Sequence, residues 1–194
     1  MWTLLPLGNP GPDYAQTRHN LGRLVVLRWM AANGVRAEVL REFPSGTLYR
    51  LTDGLQALVP ATYMNLSGQV LREALGTGLD PDRLVLLHDD KDLPLGFGRF
   101  RLDGSDGGHN GLRSLFEAAG TDRLLRLRLG IGPFLRPLHE FVLGEWTEAE
   151  AALIAALDRP FAAFLALLAP CDAPQGLLGK VNDPAFWRGP EPPA

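Results

Sequence analysis

The chain has 194 residues, 46% of them hydrophobic, enough to bury one core and short for two. A net charge of -3 argues against the strongly basic footprint of a general nucleic-acid binder, and a single cysteine, Cys171, excludes an internal disulfide. The N-terminus lacks the charged and long apolar regions of a secretory signal, and the uncharged apolar stretch 160–171 falls short of the roughly 20 residues of a membrane helix, so one cytoplasmic domain over 1–194 is expected.

An apolar run at 2–7 predicts the first strand, and a turn-rich loop at 8–20 follows it and carries His19. Residues 21–33 have helical character and stop at Gly34. Runs at 48–52 and 55–60 flank Asp53-Gly54, a hairpin signal that makes at least one strand pair antiparallel. Further strands are predicted at 84–88, 97–102 and 124–131. Between the last two, Leu112, Leu115, Phe116 and Ala119 recur at helical spacing after Asn110 and end at Gly120. Thr147 and Glu150 form a capping box for a helix that Pro160 must end or kink. From about 180 to 194 the chain is rich in Pro, Gly and Asp and reads as loop or tail.

Alternating strands and helices predict an α/β fold, a three-layer sandwich with a mixed, mostly parallel twisted sheet flanked by helices. Sites on such sheets form at the carboxyl ends of strands. Asn9 and Asp89 follow predicted strands, while Asn65 and Asn110 start predicted helices. His19 can exchange a proton near pH 7, with neighbouring Asn, Tyr and Arg to hold a polar substrate. Ordinary turn chemistry accounts for the same loop, with Asn20 capping the next helix, and each Asn or Asp has a similar capping role open to it.

Charge is uneven: residues 1–139 hold 16 basic and 14 acidic side chains, and 140–194 hold 3 and 8. Six arginines between Arg99 and Arg128 face four acids. Arginine suits bidentate phosphate contacts, although 17 Arg against 2 Lys also fits a compositional bias.

Residues 8–20 (Gly-Asn-Pro-Gly-Pro-Asp-Tyr-Ala-Gln-Thr-Arg-His-Asn), 60–68 (Pro-Ala-Thr-Tyr-Met-Asn-Leu-Ser-Gly), 88–96 (His-Asp-Asp-Lys-Asp-Leu-Pro-Leu-Gly) and 104–114 (Gly-Ser-Asp-Gly-Gly-His-Asn-Gly-Leu-Arg-Ser) together closely resemble the bacterial peptidyl-tRNA hydrolase family. The resemblance runs on through 126–132 and 140–144 in the family's order and spacing. It implies hydrolysis of the ester joining a peptide to the 3′-terminal ribose of tRNA, with His19 as the base that activates water and Asp89 as the carboxylate that orients it. It further implies substrate contacts from Asn65 and Asn110, recognition of the blocked amine by Asn9, RNA contacts from Tyr14 and Tyr63, and phosphate contacts from Arg101 and Arg128. His109 is expected to support its glycine-rich loop, and Arg99 and Arg126 to be solvated strand residues. No cofactor, metal, membrane or obligate protein partner is expected, and the chain is expected to be a monomer.

Three positions depart from the family pattern: Pro6, where a strand should lose ladder pairing, Lys91, and Pro133. The last fifty residues match loosely, so the lid built there is expected to differ in shape. Two other readings compete: a metal-dependent hydrolase using residues 88–92, which EDTA would silence, and a non-catalytic RNA-binding relative on the same fold.

Overall fold

The computed structural model describes residues 1–134 and 137–188. Its first half runs β1 (Trp2–Pro6), α1 (Leu21–Ala32), β2 (Glu38–Phe43), β3 (Gly46–Arg50), β4 (Leu55–Pro60) and α2 (Gly68–Leu75). The second half runs β5 (Leu84–Pro94), β6 (Gly98–Arg101), α3 (Asn110–Ala119), β7 (Leu125–Gly132), α4 (Leu138–Val142), α5 (Glu148–Ala156), α6 (Asp158–Leu168), α7 (Leu178–Val181) and α8 (Pro184–Arg188). Seven strands form one mixed sheet in the order β2-β3-β4-β1-β5-β7-β6. The central four, β4, β1, β5 and β7, are parallel, and antiparallel pairs close both edges.

Period-two alternation splits the core between the two faces. Val85 and Leu87 of β5 pack with α1, α6 and Trp187 on one side, while Leu84 and Leu86 pack with α2 and α3 on the other. Burial on both faces explains why this parallel strand reads as an unbroken apolar run. The strand outlasts that run: β5 continues to Pro94, so Asp89 lies within it and not after it. Alternation then puts Asp89 on the α1 face and His88 and Asp90 on the α3 face.

The hairpin at Asp53-Gly54 joins β3 and β4, with Arg50 opposite Gln56. β2, an exposed edge strand, had no sequence signal of its own. Pro6 pairs with Leu87 on the β5 side, and Leu7 donates its N–H to the Leu87 carbonyl. Because donors alternate sides along a strand, the missing Pro6 N–H falls on the β4 side, where pairing ends at Leu4 and Ala57.

α1 approaches β5 so closely that a Cβ on Gly22 would stand 2.3 Å from the Leu87 carbonyl oxygen. This approach sets the start of α1, and hence His19, beside Asp89. Gly22→Ala should lower stability by about 1–3 kcal/mol through overpacking and lower the turnover rate further than the folded fraction. Thermal melting and kcat measured on one preparation check this.

The Thr147 capping box forms, and its helix ends at Ala156, one turn before Pro160, which sits in the first turn of α6. By length and composition alone, Glu148–Leu168 could cross a membrane. In the fold it is two helices, and Phe161, Phe164, Leu165 and Leu168 of α6 fill the core.

The expected tail is a correction. Residues 180–188 are largely helical, with Val181 and Trp187 buried. Gly98 lacks the Cβ that would meet the Trp187 ring at 2.3 Å, and the Asn182 amide bonds both backbone groups of Phe100 at 2.7 and 3.0 Å. The segment therefore covers the β6 edge. Residues 189–194 lie outside the described residues.

Candidate active site

Asp89 is the centre of the site, 4% exposed, at the carboxyl end of the parallel sheet. Its Oδ1 lies 2.9 Å from His19 Nδ1 and 3.0 Å from His109 Nε2. His19 arrives from the 3₁₀ turn Arg18–Asn20 ahead of α1, and His109 is the N-cap of α3. The His109 Nδ1 accepts the N–H groups of Gly111 and Leu112 at 3.1 and 3.3 Å, so this ring carries its hydrogen on Nε2 and donates it to Asp89. His19 correspondingly donates from Nδ1, which leaves its Nε2 lone pair unengaged by Asp89.

Burial opposes ionisation of Asp89, but the two histidines outweigh it and hold the carboxyl below the usual carboxylate range. Burial likewise opposes a charge on His19, but the Asp89 charge and hydrogen bond raise its pKa above the ordinary 6.5. His88 stands apart. Its Nδ1 donates to the Asp89 carbonyl at 2.8 Å, its Nε2 is unpartnered, and burial followed by the neighbouring His109 pushes its pKa down to about 3.

A cleft of about 1050 Å³ opens over this centre. Asn9, His19, Tyr63, Asn65, Asp89, Arg101, Asn110 and Arg128 all line it, so eight of the nine residues named from the sequence converge. Tyr14 lies outside the lining and supports it: its ring packs edge-on against Tyr63, with centroids 6.1 Å apart, while Tyr63 is 55% exposed.

Asn9 follows β1, and its Oδ1 accepts the Met64 N–H at 2.8 Å, which leaves its Nδ2 hydrogens uncommitted. Asn20 does not cap α1. Its amide instead clamps the Asn9 backbone, accepting the N–H at 2.8 Å and donating to the carbonyl at 2.9 Å. Asn65 lies in the 3₁₀ turn Met64–Leu66 and Asn110 in the first turn of α3, both exposed.

The arginines divide by partner. Arg126, expected on the surface, is buried, donating to the carbonyls of Gly104, Ser105 and Asp122, so it braces the glycine-rich loop. Arg128 is paired with Asp90. Arg101, opposite Arg126 on β6, is exposed and has no ion-pair partner among the described residues. Arg99 is exposed as expected.

Residues 88–92 do not form a metal cluster: His88 packs inward, Asp90 engages Arg128 and the Asp92 N–H, and Asp92 engages Lys91 at 2.7 Å. His19, Asp89 and His109 do bring ligand-type atoms within 4.8 Å of one another. A cation there would need the His109 Nε2 lone pair, whereas two backbone N–H groups at Nδ1 force that nitrogen to carry hydrogen. The trio is built as two donors sharing one acceptor.

The family model for peptidyl-tRNA hydrolase matches residues 3–182, which takes in every residue of this cleft. The chain belongs to the peptidyl-tRNA hydrolase family. A peptidyl-tRNA hydrolase of Synechococcus sp. (strain JA-3-3Ab) is 39% identical over 198 residues, covering 97% of this chain and 85% of the relative. That of Thermotoga petrophila is 43% identical over 148 residues, covering 74% and 77%. The crystal structure of the Acinetobacter baumannii peptidyl-tRNA hydrolase superposes with a TM-score of 0.81 at 30% identity, covering 94% of each chain.

Two contributors escaped the sequence. The bond from His109 to Asp89 was invisible because the loop's glycines pointed only to backbone contacts. Arg18, read with its neighbours as a substrate contact, is buried against Glu150, 132 residues away, and no local pattern signals such a pair.

Proposed function

We propose that this chain hydrolyses the ester between the peptide and the 3′-terminal ribose of peptidyl-tRNA, with His19 as general base. The observation that carries the reading is the His19–Asp89 hydrogen bond at the floor of an open cleft, with the His19 Nε2 free of Asp89. His19 takes a proton from water as the water attacks the ester carbonyl, and returns it to the ribose oxygen as the C–O bond breaks. Asp89 holds the ring's tautomer and stabilises the imidazolium. Asn65 and Asn110 supply amide donors to the substrate's carbonyl and terminal nucleotide. Tyr63, backed by Tyr14, offers a stacking face, and Arg101 an exposed cation for phosphate. Arg128 contributes a weaker field because Asp90 neutralises it.

Asn9 Nδ2 can donate to the carbonyl of a peptide bond, a group that a free amino acid's ammonium lacks. Asn9→Asp keeps the acceptor for Met64 and removes the donor, so it should erode preference for blocked over free aminoacyl-tRNA more than it slows hydrolysis. Asn9→Ala should show the same loss and also destabilise by about 1–3 kcal/mol, because the buried Met64 N–H loses its partner. Side-by-side turnover of the two substrates and a thermal melt check both.

The chain acts in the cytoplasm as a monomer on this reading, because translation is cytoplasmic and one chain supplies the whole cleft lining. The deciding assay compares N-blocked with free aminoacyl-tRNA, with and without EDTA. Release confined to the blocked substrate and indifferent to chelation supports the reading, and activity lost with EDTA returns a metal mechanism.

A further inference from the structure

Arg18 directly precedes His19, yet it does not line the cleft. It is 2% exposed, and its guanidinium turns away into the segment between α4 and α5. There it donates to the Glu145 carbonyl at 2.9 Å and to both Glu150 carboxylate oxygens at 2.8 and 2.6 Å. Its planar group also lies over the rings of Phe141 and Trp146, at 4.6 and 5.1 Å. The backbone adds a bond from the Arg18 N–H to the Gly144 carbonyl at 3.1 Å and a bridge between Thr17 and Glu145.

These partners all fall within residues 141–150, a segment continuous with α4, and α4 and the residue after it form a wall of the cleft through Leu138, His139, Val142 and Leu143. Glu150 is itself fixed, since its Oε2 also accepts from the N–H and hydroxyl of Thr147 in the α5 cap. Gly144 admits the guanidinium at close range, as a Cβ there would meet Arg18 Nη1 at 2.9 Å. A buried ion pair is a poor source of stability, because desolvation offsets its attraction. Its bidentate geometry is a good means of holding two segments in one arrangement.

We propose that Arg18 and Glu150 form a latch tying the cleft wall at α4 to the turn that carries His19, which makes Arg18 a positioning residue for the base. A wall that shifts when a peptidyl group enters moves the His19 turn with it, and a latched wall keeps the ring in line with Asp89. The inference rests on His19 being the base. The charged and titratable groups facing His19 are Asp89 from β5 and His109 from the start of α3, and the acid facing Arg18 is Glu150.

The test is steady-state hydrolysis of N-blocked aminoacyl-tRNA by the wild type, Arg18→Lys, Glu150→Gln and the double variant, each with a thermal melt and a pH–rate profile. Lysine keeps the charge without the fork, and glutamine keeps an oxygen for the α5 cap. Folded single variants should lose about tenfold or more in kcat, as a displaced catalytic group does. Their KM should stay within about threefold of the wild type, which marks loss of a transition-state interaction. The acidic limb should move to lower pH as the ring loosens from Asp89, and the double variant should be no slower than the worse single one. Unchanged kcat and pH limb in folded variants would overturn the latch, as would a kcat loss that matches the loss of folded protein. An inactive wild type would instead overturn the function itself.

Discussion

His19→Ala should abolish detectable release of the peptide, a loss of about 10²–10⁴-fold in kcat, the usual contribution of a positioned general base. The fold should survive, because the ring is held at the cleft floor and Asp89 keeps its bond from His109 when the imidazole is gone. Affinity for the tRNA end should also survive, since Tyr63, Asn65, Asn110 and Arg101 are untouched. The effect should therefore fall on kcat, with KM close to wild type. Single-turnover release from N-blocked aminoacyl-tRNA, with a binding measurement on uncharged tRNA, separates chemistry from binding. Near-wild-type turnover would remove His19 from the role of base.

Asp89→Asn has the next largest expected effect, because this carboxylate serves two histidines through one oxygen. In a serine-protease triad the equivalent exchange costs about 10⁴-fold through loss of the correct tautomer. A loss of about 10²–10⁴-fold is expected here by the same physics. The pH dependence has a defined sign. His19 works as a base only when neutral, and its pKa lies above 6.5 because Asp89 overcomes burial, so wild-type activity falls as pH drops through a point above 6.5. With Asn at position 89, burial acts alone and the ring pKa falls. The acidic limb of the rate profile should then shift to lower pH while the plateau rate drops. A profile of unchanged shape would mean that Asp89 does not control the base.

Both expectations depend on distances that no stretch of sequence contains. His19 and Asp89 are 70 residues apart and reach 2.9 Å because Gly22 lets α1 settle on the β5 backbone. The sequence did make the α/β class legible, since buried parallel strands read as apolar runs and helices end at Gly34 and Gly120. It also made the site residues legible as a set, and eight of the nine it named line one cleft. It did not reveal β2, whose exposed edge has no buried face to produce alternation.

Arginine was the residue type least readable in advance. Arg18, Arg126 and Arg128 share one side-chain chemistry, and their uses differ with what lies opposite. Arg18 meets Glu150, Arg126 meets three carbonyls, Arg128 meets Asp90, and Arg101 remains exposed in the cleft without an ion-pair partner among the described residues. The tail was misread for a related reason. Its Pro, Gly and Asp content signals weak local structure, but Trp187 finds a partner in the bare backbone of Gly98, about ninety positions earlier.

By itself, the sequence determined the family, the layered fold and the residue types of the site, because local periodicity, turn chemistry and motif spacing are properties of neighbouring residues. Only the tertiary structure decided which histidine nitrogen faces Asp89, that the Asn9 amide oxygen is spent on Met64, and which arginines remain open to phosphate. Those are matters of partnership between residues distant in sequence, 38 positions for Arg128 and Asp90, 55 for Asn9 and Met64, and 70 for His19 and Asp89, set by packing once the core has formed.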